Sequence, residues 1–292
     1  MSSNKVIGID IGGSHITAGM VNLDDYRLDE STVVRKAVHS QGDAMTIIQE
    51  WKEAISSVPG YDAADVKIGI AMPGPFDYPE GISFIKDQGK YQSLYELHVK
   101  DMLAEALGIH VDQIHFENDA ACFLQGEVAS GAAQSVNSAI GLTLGTGLGS
   151  SRYHGDFAQD AALWCSPFRG VIVEDFVSTR WFVKAYREKT GQVIREVREL
   201  TQKKENQAIA KEIFREFGEN LADFLKIFIQ KENPEVIVIG GNITKAGDLF
   251  IPVVQEELAK SNLSTPIRIS ELGESAALIG AASSWNQHQE KI

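Results

Sequence analysis

Apolar residues along this chain alternate between strand-like runs that stop at glycine and longer stretches with helical spacing. Residues 5–11 read as a β-branched, apolar strand that ends at Gly12-Gly13, and a second strand-like run, residues 15–21, follows at once. Between Asp43 and Val58, the residues Ile48, Trp51, Ile55 and Val58 recur every three or four positions. That spacing predicts a helix, with Pro59-Gly60 as its stop. Residues 66–71 predict a strand closing on Met72-Pro73-Gly74-Pro75, where proline and glycine force an ordered loop. Residues 94–107 predict a helix ending at Gly108. A short strand, residues 113–116, then runs into Glu117-Asn118-Asp119 and a helix over 120–129, so Asp119 stands at a strand-to-helix junction.

The pattern restarts in the second half. Ile7-Gly8-Ile9-Asp10-Ile11-Gly12-Gly13-Ser14 aligns with Ile140-Gly141-Leu142-Thr143-Leu144-Gly145-Thr146-Gly147, and the strand at 67–71 has a counterpart at 236–239 that closes on Gly240-Gly241. Two similar α/β halves are predicted. Ile213, Phe217, Leu221, Leu225 and Phe228 place one face on a long helix over 207–231. Leu249, Val253 and Leu258 mark another helix, and the alanine-rich stretch 274–285 predicts a closing one.

Composition narrows the classes. With 292 residues, 43% of them hydrophobic, the chain can bury the core of one large domain or two ordinary ones. A net charge of −13 repels phosphate backbones and anionic lipid, which argues against nucleic acid and membrane surfaces as partners. Two cysteines, Cys122 and Cys165, cannot build a disulfide framework or a cysteine-only zinc site. Apolar runs such as 236–239 fall far short of the roughly 20 residues that cross a bilayer, and residues 1–5 carry no apolar signal region. A cytoplasmic protein is the expectation.

Four segments carry candidate chemistry. Asp10-Ile11-Gly12-Gly13-Ser14 sets a carboxylate at a strand end beside glycine N–H groups and a hydroxyl that can bond phosphate oxygens, and the carboxylate suits a hydrated magnesium ion. A hairpin turn that merely needs glycine explains the same residues. Gly145, Thr146, Gly147 and Gly149 form a second such turn, without the helix that a dinucleotide fingerprint requires after it. Gly240-Gly241-Asn242 is a third turn, where an adenosine could lie close to the backbone or a strand could simply end. Asp119 can accept a proton from a substrate hydroxyl while Asn118 fixes another; the alternative for Asp119 is a helix N-cap.

Together, and in this order, the four segments resemble the ROK (repressor, open reading frame, kinase) sugar kinases, over nearly the whole chain. The resemblance implies the two-domain actin-like, ribonuclease H-like ATPase fold of class α/β, each domain a mixed five-stranded sheet flanked by helices, with a cleft between. It sets a small domain at 1–118 plus 280–292 and a large one at 119–279. It implies ATP and magnesium as cofactors and a small sugar as partner. Asp10, Gly12, Gly13 and Ser14 match the first phosphate loop, with Asp10 on magnesium through water, and Gly145, Thr146, Gly147 and Gly149 match the second. Gly240 and Gly241 match the adenosine segment, Asp119 the catalytic base, and Gly74, Asn118, Asp119, Asp160 and Glu174 the sugar contacts. Homodimers are common in the family.

The departures fall on sugar contacts. Where the family has Gly-Glu-x-Gly-His and a cysteine-rich zinc loop, this chain has residues 158–165: Asp160 stands for the glutamate one methylene shorter and Leu163 for the histidine. Cys165 alone remains of the zinc cysteines, with Pro167 and Ile172 at two other positions, so no zinc is expected. Glu174 keeps the distal glutamate, and Pro-Asn-Leu-x-Gly-Trp of the family becomes Lys86-Asp87-Gln88-Gly89-Lys90-Tyr91. Trp164 suits either a sugar face or the core, and the seven histidines show no metal-ligand spacing. A sugar-responsive regulator is the second reading, because the family includes repressors. Those carry an N-terminal helix-turn-helix, whereas the phosphate loop here begins at Asp10 and the charge opposes DNA. A nucleotide-binding protein that has lost activity is the third.

Overall fold

The computed structural model describes residues 4–202 and 207–289. Its contacts divide the chain into two compact units: one holds the residues up to Gln134, Asp156–Gln159 and the segment from Glu274 onward, the other Ser135–Gly155 and Asp160–Gly273. Sequence reading sets the break after Asn118, whereas the contacts keep the helix that follows with the first unit.

In the first unit, β1 (Lys5–Ile11) and β2 (His15–Asn22) form an antiparallel hairpin around the first glycine turn. Short strands β3 (Arg27–Leu28) and β4 (Val34–Ala37) both pair with β2. Helix α1 (Ala44–Ile55) is capped by Asp43, whose Oδ1 accepts from the Thr46 N–H at 3.0 Å. Strand β5 (Ile68–Met72) then lies parallel to β1. A small hairpin, β6 (Phe76–Asp77) with β7 (Ile82–Ser83), and helix α2 (Val99–Leu107) lead to β8 (Ile114–Asn118), parallel to β5, and to α3 (Asp119–Ser130). The sheet order is β3-β2-β1-β5-β8. It has six strands rather than five because β3 and β4 share one edge of β2.

The helix predicted over 94–107 starts only at Val99, since residues 96 and 97 exchange backbone hydrogen bonds with Ser83. It ends as expected at Gly108, whose φ of 68° closes the last turn.

Alternation in β1 separates two faces. Ile7, Ile9 and Ile11 pack into a core with Ile48, Trp51, Ile70 and Leu103. Gly8 and Gly69 face the C-terminal helix (Ser275–Gln289) so closely that a Cβ on either would overlap a carbonyl oxygen of that helix, Leu278 or Ala281. Gly126 of α3 approaches Ala276, and Gly280 approaches Cys122 of α3, in the same way. These contacts bind α3 and the C-terminal helix into the first unit.

The second unit repeats the theme. Strands β9 (Ala139–Leu144) and β10 (Leu148–Tyr153) form a hairpin around Gly145–Gly147, with β11 (Gln159–Asp160) at its edge. A small hairpin, β12 (Pro167–Phe168) with β13 (Val171–Ile172), precedes helices α4 (Thr179–Thr190), α5 (Arg198–Gln202) and α6 (Gln207–Glu232). Strand β14 (Val236–Gly240) lies parallel to β9, then α7 (Ile251–Lys260) leads to β15 (Ile267–Ile269), and the sheet runs β11-β10-β9-β14-β15. The order β10-β9-β14 mirrors β2-β1-β5, as the internal repeat predicts. Phe182, Phe214, Phe217 and Phe250 fill the core under this sheet.

Candidate active site

Parallel strands bring their carboxyl ends to one edge of a sheet, and β1, β5 and β8 do so here. The register pairs Asp10 with Ala71 and Met72 with Asn118, so Asp10, the Met72–Gly74 loop, Asn118 and Asp119 lie along one edge of the first sheet. Both carboxylates keep part of their surface exposed while sitting deep among protein atoms. Removal from bulk water first, and the neighbouring Asp119 charge second, raise the Asp10 pKa to about 7 against the downward pull of Arg35 and Lys90. Burial raises Asp119 as well, and the Lys90 charge opposes that rise. Two oxygen donors whose negative charge is unfavourable as they stand fit a hard divalent cation such as magnesium.

The N-cap of α3 is Asn118, not Asp119. The Asn118 Oδ1 accepts from the N–H groups of Ala120 at 2.9 Å and Ala121 at 3.1 Å, and its Nδ2 donates to the Tyr78 hydroxyl at 3.0 Å. Tyr78 in turn donates to the Met72 carbonyl at 3.1 Å. One amide hydrogen of Asn118 is therefore what it can offer a sugar. Asp119, relieved of capping, opens the helix and accepts from the Ala120 N–H at 2.8 Å.

The glycine turns differ in what the fold demands. At Gly12 a Cβ would meet nothing nearer than the His15 carbonyl oxygen at 3.5 Å, and at Gly145 it would meet open space, with neither residue at positive φ. At Gly13 it would touch only the Lys90 Cδ, at 3.4 Å. Neither a positive φ nor a blocked Cβ position requires glycine at these places. Gly241 is the opposite case, with φ of 91° and a Cβ position blocked by the Leu144 backbone, so strand termination suffices there.

Carbonyls of both turns are tied down from behind. The Tyr91 hydroxyl donates to the Gly12 carbonyl at 2.5 Å, and the Ser40 hydroxyl donates to that of Gly13 at 2.5 Å. In the second unit the Thr179 N–H and hydroxyl both donate to the Gly145 carbonyl at 2.9 Å. Glu174 lies against Gly147, where its Oε2 accepts from the Leu148 N–H at 2.9 Å while Oε1 pairs with Arg180. Both of its oxygens are thus engaged at the second turn. Thr146 lies in that turn, Gly149 pairs with Thr143 in the hairpin, and Gly240 pairs with Thr143 from β14. The Asp160 Oδ1 accepts from the Ala162 N–H at 2.7 Å, and residues 161 and 163 are fixed to Ser150 of β10.

Sequence reasoning did not single out Ser40, Tyr78, Lys90, Tyr91 or Arg180 as site residues. Only the departure at 86–91 pointed toward two of them. Trp164 is 38% exposed, which removes it from the core, and Cys122 is buried while Cys165 is exposed. His39 pairs with Glu50 at 2.5 Å and His154 with Glu232 at 2.9 Å; the His288 side chain lies outside the described residues.

The chain is 26% identical over 319 residues to a glucokinase from Thermotoga maritima, covering 97% of this chain and 98% of that protein. It is 21% identical to an N-acetyl-D-glucosamine kinase from Pectobacterium carotovorum subsp. carotovorum, over 83% of this chain and 85% of that one. A ROK family glucokinase from Streptomyces griseus, solved in complex with glucose and AMPPNP, shares the fold with a TM-score of 0.76 and 22% identity, covering 96% of this chain and 98% of that chain. The fold is therefore the actin-like ATPase fold of these sugar kinases. The family model described as ROK family matches residues 6–154 and 152–288, and with almost the whole chain accounted for, this protein belongs to the ROK family.

Proposed function

We propose that this protein transfers the γ-phosphoryl group of ATP to a hydroxyl of a hexose or hexose derivative, with Asp119 as general base. The observation that supports this most is a pair of carboxylates, Asp10 and Asp119, at one sheet edge beside a turn whose glycines the fold itself does not require. Asp10 would hold magnesium through water, and the bound ion would supply neutralisation of phosphate charge. Gly12, Gly13 and Ser14 would present backbone and hydroxyl donors to phosphate oxygens, and Gly145, Thr146, Gly147 and Gly149 would do the same from the second turn. Gly240 and Gly241 would lie against the adenosine. Gly74, Asn118, Asp160 and Glu174 would sort sugars by their hydroxyl contacts, and such sites reject analogues lacking those hydroxyls more strongly than apolar pockets do. Asp119 would take the proton of the attacking hydroxyl and orient its oxygen.

Two expected results follow from the site. Gly12→Ala and Gly145→Ala should melt within about 2 °C of the parent, because both Cβ positions are vacant of clashing atoms. Each should nevertheless weaken AMPPNP binding by roughly tenfold or more, a loss of about 1.4 kcal/mol. Calorimetric titration beside a thermal melt checks both halves; unchanged binding would make these turns structural only. The pH profile is the second. Asp119 acts as a base only when ionised, and burial raises its pKa, so activity should be lost as pH falls through that raised value. The acid limb of kcat/KM should therefore break above about 4, the ordinary carboxylate range. An acid limb at or below that range would count against Asp119.

A coupled ADP-release assay with magnesium, ATP and a panel of glucose, mannose, fructose, allose and their N-acetylated amino forms tests the proposal itself. Sugar-dependent turnover with at least one member is expected. Nucleotide binding with no turnover on any would favour the regulator reading.

A further inference from the structure

Resting on the kinase reading above, we propose that Lys90 is the cation that contacts the γ-phosphoryl group during transfer, presented at the first glycine turn by the loop of residues 86–91. Three observations carry this. The Lys90 side chain runs over Gly13, with its Cδ 3.4 Å from where a Cβ on that glycine would sit. Its loop is buckled to the turn on either side: the Gln41 side-chain amide donates to the Gly89 carbonyl at 3.1 Å, and the Tyr91 N–H donates to the Ser40 carbonyl at 2.6 Å. The Tyr91 hydroxyl and Ser40 hydroxyl then bind the Gly12 and Gly13 carbonyls, and the fully buried Tyr91 ring packs edge-on against Trp51.

Lys90 is thus held over the phosphate turn by neighbours on both sides, while among the described residues it makes no ion pair of its own. Its charge acts on both site carboxylates, whereas that of Arg35 acts on Asp10. A group transferred from a phosphate turn to a hydroxyl bound at Asp119 has to pass between these partners. In that step the hydroxyl oxygen forms a bond to the γ-phosphorus, the bond from that phosphorus to the β,γ-bridging oxygen breaks with its electron pair leaving on ADP, and the hydroxyl proton passes to Asp119. Charge spreads over the γ-oxygens as this happens, and a preorganised ammonium group beside them lowers the barrier. Lys86, exposed on the same loop, faces the Tyr95 ring instead.

Nucleotide binding separates this role from catalysis in general. Wild type, Lys90→Met and Lys90→Arg are titrated calorimetrically with AMPPNP and with ADP, each with magnesium, after thermal melts establish that all three are folded. Lys90→Met should weaken AMPPNP by about tenfold or more, as loss of a hydrogen bond to a charged group does, and change ADP affinity by less than about twofold. Lys90→Arg should recover part of the AMPPNP loss. Turnover of Lys90→Met should fall on the order of 10²-fold, the effect of removing one donor to developing charge. Equal losses for the two nucleotides, no loss for either, or a change confined to the sugar KM would overturn the proposal. If wild type binds neither nucleotide, the kinase reading fails and this proposal with it; wild-type binding that Lys90→Met leaves intact overturns Lys90 alone.

Discussion

Asp119→Asn should reduce turnover by about 10²- to 10⁴-fold, the usual worth of a general base, while AMPPNP affinity stays near that of the parent. The substitution keeps the shape of the side chain and its position as the first residue of α3. It keeps the helix cap too, because the Asn118 Oδ1 accepts from the Ala120 and Ala121 N–H groups, and an amide oxygen at position 119 can still accept from Ala120 as the carboxylate does. What it removes is a basic oxygen, so loss of turnover without loss of fold isolates the proton-transfer role. It also removes one of two neighbouring negative charges, which lowers the unfavourable charge density at Asp10. Nucleotide binding should therefore be preserved or slightly improved. Steady-state rates beside calorimetric titration check this, and near-normal turnover would sink the role.

Gly280→Ala should destabilise the first unit by about 3 kcal/mol or more, at the upper end of what overpacking does. A Cβ on Gly280 would coincide with the backbone carbonyl of Cys122 in α3. Backbone atoms cannot rotate away as a flexible side chain would, so the C-terminal helix or α3 has to move. That movement is opposed at Gly8, Gly69 and Gly126, where backbone approaches backbone just as closely. A stability loss of this size should lower the melting temperature by roughly 6–12 °C for a domain of this class. Thermal melts followed by circular dichroism read it out. A shift under about 2 °C would show that the helix is docked more loosely than the contacts imply.

Much of this site is legible along the chain because its parts are local. A strand that ends in Gly12-Gly13, and another in Gly145-Thr146-Gly147, announce themselves by period and composition, and the strand-to-helix junction places Asp119 without any tertiary knowledge. The two sheets follow from the internal repeat. Less legible are features made by contacts distant in sequence. Tyr91 reaches Gly12 across 79 positions, and nothing in a polar loop of residues 86–91 signals that pairing. Gly126 and Gly280 lie within helices where the sequence pattern gives no sign of their role, yet each marks a close crossing that assigns α3 to the first unit. Helix α4 carries Trp181, Phe182, Ala185 and Tyr186 on its buried face, a helical period that reading by motif passes over. The short strands β3 and β4 have too few residues to show a period at all.

Glu174 illustrates how a residue's type can be read while its partners cannot. Its carboxylate braces the Gly147–Leu148 backbone and meets Arg180, so any sugar contact it makes has to share oxygens already in use. Asn118 is constrained similarly by its cap and by Tyr78. On the proposed kinase reading, specificity among hexoses would rest on a reduced set of donors and acceptors, to which a panel of sugars is the direct probe.

Phosphoryl transfer from ATP to a sugar hydroxyl, with Asp119 as base, can be followed directly in the product. The most direct measurement follows label from γ-labelled ATP into a hexose, with wild type and Asp119→Asn side by side at saturating magnesium. Label in a sugar phosphate formed by wild type, and at least about 10²-fold less with Asp119→Asn, is the expected result. Sugar phosphate formed equally by both would contradict the role of Asp119, and none formed by a wild type that binds AMPPNP would contradict the kinase itself.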